Sequence, residues 1–284
     1  MPHLMLSWPY AFIIAGGLIV VTVVSRVPRV ARTWTGWPLW GGVAWEAGLL
    51  FALYGLWMFA GSFTVMSPDG ALPRARWLWH AERWAHLPSE TSVQRLFLPH
   101  PLVIQAFNLY YDTLHFSLLG VCLVWLYVRH RDQYPRIRTS VALFTGASLL
   151  IQFIPVAPPR LLPGSGMVDT AVKYGQSVYS WHGGLDADEL SAMPSVHVGW
   201  ALIVALAVIT VSRSRWRWLA AGYPLLTLLV VVVTANHFWL DGIAAALLVA
   251  VVLAVQRLVY GIRSGNSSEG DQVRPVREEL SMRS

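Results

Sequence analysis

Ser191-Ala-Met-Pro-Ser-Val-His197, answered by Asn236-His-Phe-Trp-Leu-Asp241, is the pair of stretches that decides how this chain is read. Each places an imidazole at the first turn of a segment that is otherwise almost entirely apolar. Ionisable groups at membrane depth are costly enough to be functional candidates by default. In the second stretch His237 and Asp241 are four residues apart, a spacing that stacks them on one helical face. The carboxylate can then accept the proton of one ring nitrogen and leave the other free as a nucleophile.

The segments that these stretches open belong to a chain of 284 residues with 55% hydrophobic and only 13% charged side chains. That composition is too apolar for a soluble domain of this size and predicts an integral membrane protein of all-α class, a polytopic helical bundle. Seven stretches approach or reach the roughly 17 to 25 residues that a hydrocarbon core of about 30 Å requires. They run about 8–25, 39–60, 102–127, 140–157, 194–212, 218–236 and 238–260. No signal-peptide n-region or cleavage site precedes the first, so it reads as a retained helix. The single cysteine, Cys122, lies in an apolar segment, which excludes an intrachain disulfide and predicts a small packed hydrophobe.

Of the 21 basic residues all but Lys173 are arginine, and their positions report topology rather than nucleic-acid binding. Arg26, Arg29 and Arg32 fill one connection, Arg129, Arg131, Arg136 and Arg138 a second, and Arg213, Arg215 and Arg217 a third. Five more follow from Arg257 onward, so 15 fall on one side and six on the other. The positive-inside rule makes the richer side cytoplasmic, with the N-terminus outside and the C-terminus inside. By parity Arg160, His197 and His237 then share the outer face of a plasma membrane.

Four regions are expected: N-terminal transmembrane helices over 1–66, an extracytoplasmic interfacial segment over 67–100, a catalytic transmembrane core over 101–260, and a disordered cytoplasmic tail over 261–284. In the interfacial segment Trp77, Trp79, Trp84, Leu78, Leu87 and Leu96 alternate with Arg74, Arg76, Arg83 and Arg95, the pattern of one or two amphipathic helices lying in the headgroup layer. A structural lid is the expectation there, a direct grip on a lipid headgroup the alternative. Glu46, alone near the inner side of the second segment, should find a partner among the cytoplasmic arginines.

Asn108, Asp112 and His115 are spaced four and then three, a polar stripe that should face the bundle interior. It can serve interhelical hydrogen bonding, or bind substrate and support the catalytic residues. The loop over 158–193 opens with Pro158-Pro-Arg-Leu-Leu-Pro-Gly164, holds Lys173, Trp181 and His182, and ends in Asp186, Asp188 and Glu189. Arg160, beside two prolines at the membrane surface, suits a bidentate contact to phosphate. Pro194 suits the first helical position, and the N–H groups of Ser195 to His197 behind it make an anion site at the helix N-terminus. His197 could protonate a leaving oxygen while His237, oriented by Asp241, attacks phosphorus from the opposite side. A zinc site from His197, His237 and Asp241 lacks the usual paired ligands, so no metal and no cofactor is expected.

Ala192-Met-Pro-Ser-Val-His-Val-Gly-Trp200 and Thr234-Ala-Asn-His-Phe-Trp-Leu-Asp241 resemble the second and third signature motifs of the type 2 phosphatidic acid phosphatase superfamily. With Pro158-Pro-Arg160 and Tyr110-Tyr-Asp-Thr-Leu-His115 the chain is more closely similar to the branch of inositol phosphorylceramide synthases and their bacterial relatives, over about residues 75–260. The resemblance implies a six-helix phosphatase-type core with one extra N-terminal helix, and a metal-independent reaction with His237 as nucleophile, Asp241 as its orienter and His197 as general acid. Arg160, Ser195, Lys173, Asp112, His115 and Tyr111 are the candidate substrate contacts. Two departures stand out: Phe153 occupies the first motif's lysine position, seven before Arg160, and Val231 the third motif's arginine position, six before His237.

A phosphate clamp thinned in this way fits the single charge of a phosphodiester better than the nearly double charge of a phosphomonoester. The expected function is transfer of a phosphoryl-headgroup from a phospholipid to an alcohol. A lipid phosphate phosphatase acting on phosphatidate or a polyprenyl phosphate or diphosphate is the alternative, and a non-catalytic scaffold or lipid carrier the alternative of another class. The partners expected are a lipid substrate and the membrane; nothing in the sequence bears on oligomeric state.

Overall fold

The computed structural model describes residues 7–28, 37–66, 70–177 and 190–259. Arg29, Arg32, Trp181, His182, Asp186, Asp188, Glu189 and the tail from Gly261 to Ser284 lie outside the described residues.

Each of the seven apolar stretches falls on a helix, and no β-strand occurs among the described residues. An N-terminal hairpin comprises α1 (Trp8–Ser25) and α2 (Trp37–Met66). Two shorter helices follow, α3 (Ala71–Trp84) and α4 (Glu90–Phe97). The bundle proper contains α5 (Pro101–Arg129), α6 (Tyr134–Gln152), α7 (Val196–Val211), α8 (Arg215–Val233) and α9 (Trp239–Val259). Among the described residues five helices are long and apolar enough to cross a membrane: α1, α2 over Trp40–Phe59, α5, α8 and α9. The chain is a multi-pass membrane protein.

The fourth stretch is shifted from its expected span of 140–157. Pro135 starts α6 early, in the first turn, where a missing N–H costs nothing, and Pro155 and Pro158 forbid its continuation past Gln152. The chain beyond is irregular, with a one-turn 3-10 helix at Pro159–Leu161 and a short helix at Thr170–Lys173.

At 16 residues α7 is short for a crossing, yet it is the central helix, packed by α5, α6 and α8. Association of helices in lipid depends on close packing rather than on hydrophobic exclusion from water, so small residues decide where helices meet. A Cβ on Gly199 would fall 1.9 Å from the Phe144 ring, and one on Gly242 2.6 Å from Leu228 Cδ1. These two contacts draw α6 against α7 and α8 against α9. Around them Val141, Phe144, Val198, Trp200, Ile203, Val231, Val232, Ala245, Val249 and Val252 form the main core. Cys122 is buried with Leu126, Val204 and Ala207, as a small hydrophobe would be.

The hairpin packs mostly on itself. Gly41, Gly48 and Gly55, seven apart, bring α2 onto α1, where added Cβ atoms would meet Ser25, Leu18 and Phe12 respectively. Its polar tie to the bundle is Glu46, which accepts from Tyr134 Oη at 2.8 Å and pairs with Arg138. The arginine partner expected for Glu46 is therefore found in Arg138.

Candidate active site

Three backbone devices build the site. The first is the turn from α8 into α9. Ala235 takes the left-handed conformation with φ of +59°, while Ala235 N donates to Val232 O and Asn236 N to Val231 O, both at 3.0 Å. This is a Schellman closure with alanine where glycine is usual, and it holds an L-residue in a conformation costing about 1–2 kcal/mol. His237 N also donates to Val231 O, at 3.1 Å, so the chain reverses within two residues and delivers His237 to the head of α9.

The second device is a short parallel bridge. Val156 N donates to Leu190 O at 2.8 Å and Ala192 N to Val156 O at 3.2 Å. The bridge carries the Ala192 carbonyl over the imidazole, 2.7 Å from His237 Nδ1, with Asp241 Oδ2 3.3 Å from the same nitrogen. A carbonyl only accepts, so Nδ1 bears a proton, and in the neutral ring the lone pair is on Nε2. Nε2 has no hydrogen-bond partner among the described residues. Asp241 Oδ2 also accepts from Phe238 N at 2.8 Å, closing the first turn of α9. The spacing of His237 and Asp241 pointed to the carboxylate as the acceptor; the closer acceptor is a backbone carbonyl from 45 residues away, which no local pattern could have revealed.

The third device is a π-helical turn over Tyr110–Leu114 inside α5. Such turns are rare and frequent at functional sites. Here it faces Tyr111 onto His197, rings stacked at 4.2 Å and 20°, while His115 meets the same ring edge-on at 4.0 Å. The His197 and His237 rings lie 5.7 Å apart. Asn108 and His115 are buried and Asp112 half-buried, so the polar stripe does face inward. Asn108 is occupied structurally: its Oδ1 accepts from Thr170 Oγ1 at 2.8 Å, and its Nδ2 donates to Gln176 Oε1 at 2.9 Å.

Ser195 caps α7, its Oγ accepting from Val198 N at 3.4 Å. The expected run of free N–H groups from Ser195 to His197 is shorter than the sequence suggested, because Ser195 N donates to Asp241 O at 3.1 Å. The cap thereby ties the head of α7 to the head of α9. Among the described residues, the N–H groups of Val196 and His197 remain without an acceptor at this helix end.

Arg160 sits where the bridge and the turn meet. Its N–H donates to Ala235 O at 3.2 Å, its guanidinium binds Asn236 Oδ1, and its Nε lies 3.4 Å from Asp169 Oδ2. With Asn108, Tyr111, Asp112, Ala171 and Ser177, these three residues line one cleft. Asn236 and Asp169 were not read as site residues; the first stands next to His237 in the motif, while the second has no signal beyond its place as cap of the short helix. Lys173 is exposed, its Nζ 5.6 Å from the centre of the neighbouring Tyr174 ring, and does not line the cleft. The structure thus gathers His197, His237, Asp241, Tyr111, His115 and Ser195 in one cluster and Arg160 with Asp112 beside it, leaving Lys173 outside.

The multi-helix membrane bundle thus holds two imidazoles 5.7 Å apart, with an arginine-lined cleft beside them. The chain belongs to the PAP2 superfamily, whose family model matches residues 76–255. No curated protein and no solved structure matches it. The membership supports a phosphatase-type lipid phosphate enzyme, with α1 and α2 lying outside the matched residues.

Proposed function

We propose that the chain is a metal-independent phosphotransferase that moves a phosphoryl-headgroup from a phospholipid to an alcohol through a phosphohistidine. The observation that carries the reading is the His237 ring, held with Nδ1–H on Ala192 O and Asp241 while Nε2 is left to react. In the first step Nε2 forms a bond to phosphorus, the phosphorus–oxygen bond to the diacylglycerol-type leaving group breaks, and His197 gives that oxygen its proton. In the second, an acceptor hydroxyl attacks phosphorus from the vacated side, His197 takes its proton, and the nitrogen–phosphorus bond breaks. Arg160 and the free N–H groups of Val196 and His197 are the groups available to hold the phosphoryl oxygens.

The charge of the cleft supports a diester donor. Arg160 is the cation among the lining residues, and Asp112 and Asp169 flank it. A phosphodiester brings one negative charge to such a site, whereas a phosphomonoester brings nearly two. The finer similarity to inositol phosphorylceramide synthases points the same way. By the positive-inside count the site faces the outer side of the plasma membrane.

Purified protein in native-lipid micelles, given phosphorus-labelled phospholipids and candidate alcohols beside His237→Ala, tests the proposal. Label entering a new lipid or headgroup conjugate, and lost in the variant, is the expected result. Label released as inorganic phosphate or a water-soluble ester would make the protein a hydrolase instead.

A further inference from the structure

The head of α9 lacks a capping side chain of its own, since Phe238 stands at the cap position. A helix start leaves its first N–H groups without intrahelical acceptors, and burial makes each orphan costly. Here Phe238 N is satisfied by Asp241, and Leu240 N by Glu82 Oε1 of α3, at 2.8 Å and 158 residues away in sequence. Glu82 and Glu90 are buried, at 0% and 1% exposure, among the apolar contacts of the interfacial helices. Arg83 grips Glu90 Oε2 and so marks Glu90 as the ionised member of the pair. Glu82 Oε2 and Glu90 Oε1 remain, buried and with no other donor. Two carboxyl oxygens satisfy one another only when a proton lies between them.

We infer that Glu82 is a positioning residue for the reaction, acting as a neutral carboxylic acid that donates its O–H to Glu90 and caps the α9 head through its carbonyl oxygen, so that His237 and Asp241 are held in register from outside the catalytic core. The chain of contacts runs Arg83, Glu90, Glu82, Leu240 N, Asp241, His237. The titratable groups that act on Glu82 are Glu90 on α4 and Asp241 at the α9 head. The loop packed against α3 contributes the apolar Val156, Ala157, Leu190 and Ala192. Burial, followed by the hydrogen bond to Glu90, raises Glu82 from the usual carboxylate range to about 9.

The sign follows from proton linkage. The folded state keeps the proton up to about pH 9 while the unfolded chain releases it near 4.5. Folding is therefore favoured by this group below pH 4.5 and loses that contribution progressively as pH rises towards 9. Ionisation of Glu82 removes the O–H it shares with Glu90 and sets a third carboxylate beside Glu90 and Asp241, whose repulsion displaces the side chain from the α9 head although the bond from Leu240 N itself favours the charged form.

The test compares Glu82→Gln and Glu82→Ala with the parent chain. Glutamine reproduces the neutral acid, its amide donating to Glu90 and its carbonyl accepting from Leu240 N. It should keep activity within about threefold at pH 7 and hold that activity above pH 9, where the parent declines; alanine should lower kcat by about 100-fold with less effect on KM, as misplaced catalytic groups do. If glutamine fails as alanine does, the ionised carboxylate is what matters, and if alanine matches the parent, Glu82 positions nothing; either result overturns the inference. The inference rests on the phosphoryl-transfer reading, so a readout free of activity accompanies it. Thermal unfolding in detergent should show Glu82→Gln gaining on the parent as pH rises from 5 to 9, and a difference independent of pH would refute the protonated pair. Absence of any phosphoryl chemistry in the parent, with the thermal pattern present, would fault the functional reading and leave the cap standing.

Discussion

Two regions precede the main bundle and attach to it in opposite ways. The α1–α2 hairpin packs through a small-residue seam and reaches the bundle through side chains, Glu46 with Tyr134 and Arg138 at the end remote from the two histidines and Trp57 stacked at 6.0 Å on Phe116, the neighbour of His115. Helices α3 and α4 are shorter and more polar, yet they send side chains beneath the turn that delivers His237. Arg74 donates to Pro155 O at 2.7 Å, Gln94 Nε2 to Val233 O at 2.9 Å and Val168 O at 2.8 Å, and Trp239 Nε1 to Pro88 O at 2.8 Å. The family match begins inside α3, at residue 76, and leaves the hairpin out. Proximity in sequence says little about coupling to the site. What matters is which backbone groups a region satisfies.

That contrast can be broken by experiment. His237→Ala sets the upper bound: loss of the nucleophile should reduce phosphoryl transfer by roughly 1,000-fold or more, with no labelled protein intermediate trapped on acid quench. In α4, Gln94→Ala strands the half-buried Val168 N and O and the buried Val233 O, and should cost about 2–4 kcal/mol of stability and roughly tenfold in activity, read by thermal unfolding and turnover. A Gln94→Ala enzyme as active and stable as the parent would reduce α3 and α4 to a passive cover.

Asn236→Ala, which frees one side of Arg160, should raise KM by about tenfold with a smaller change in kcat, as expected when a phosphate-holding cation loses its fixed geometry. In the hairpin, Glu46→Gln weakens one half-buried ion pair and should remove about 1–2 kcal/mol while leaving turnover within about twofold. A large loss of turnover there would mean that the hairpin is coupled to the site after all. Smallest of all, Ala235→Gly should relieve the left-handed strain and raise stability by about 1 kcal/mol, unless the added freedom loosens His237 and lowers kcat.

The interfacial region is also where reading by pattern fell furthest short. Alternating tryptophans and arginines indicated amphipathic helices, and two helices are present over the described residues of 67–100. Nothing in that alternation distinguished Glu82, Glu90 and Gln94, whose partners lie 74 to 158 residues away or across a turn. Helices α3 and α4 form a foundation for the turn before α9. In the same way the run of free N–H groups at the head of α7 looked complete, and one of its donors proved to be taken by Asp241 O.

What the amino-acid sequence determined by itself is local or periodic: seven apolar segments, the arginine asymmetry between their connections, two imidazoles at helix heads, and Asp241 one turn beyond His237. Each follows from composition or from the 3.6-residue period, so neighbours along the chain suffice to specify it. The proton on His237 Nδ1, the facing of Tyr111 onto His197 by a π-helical turn, the pinning of Arg160 by Asn236 and Asp169, and the cap from Glu82 were decided only in the folded chain. They satisfy buried polar groups whose partners are distant in sequence, and a buried donor finds its acceptor through packing rather than through spacing.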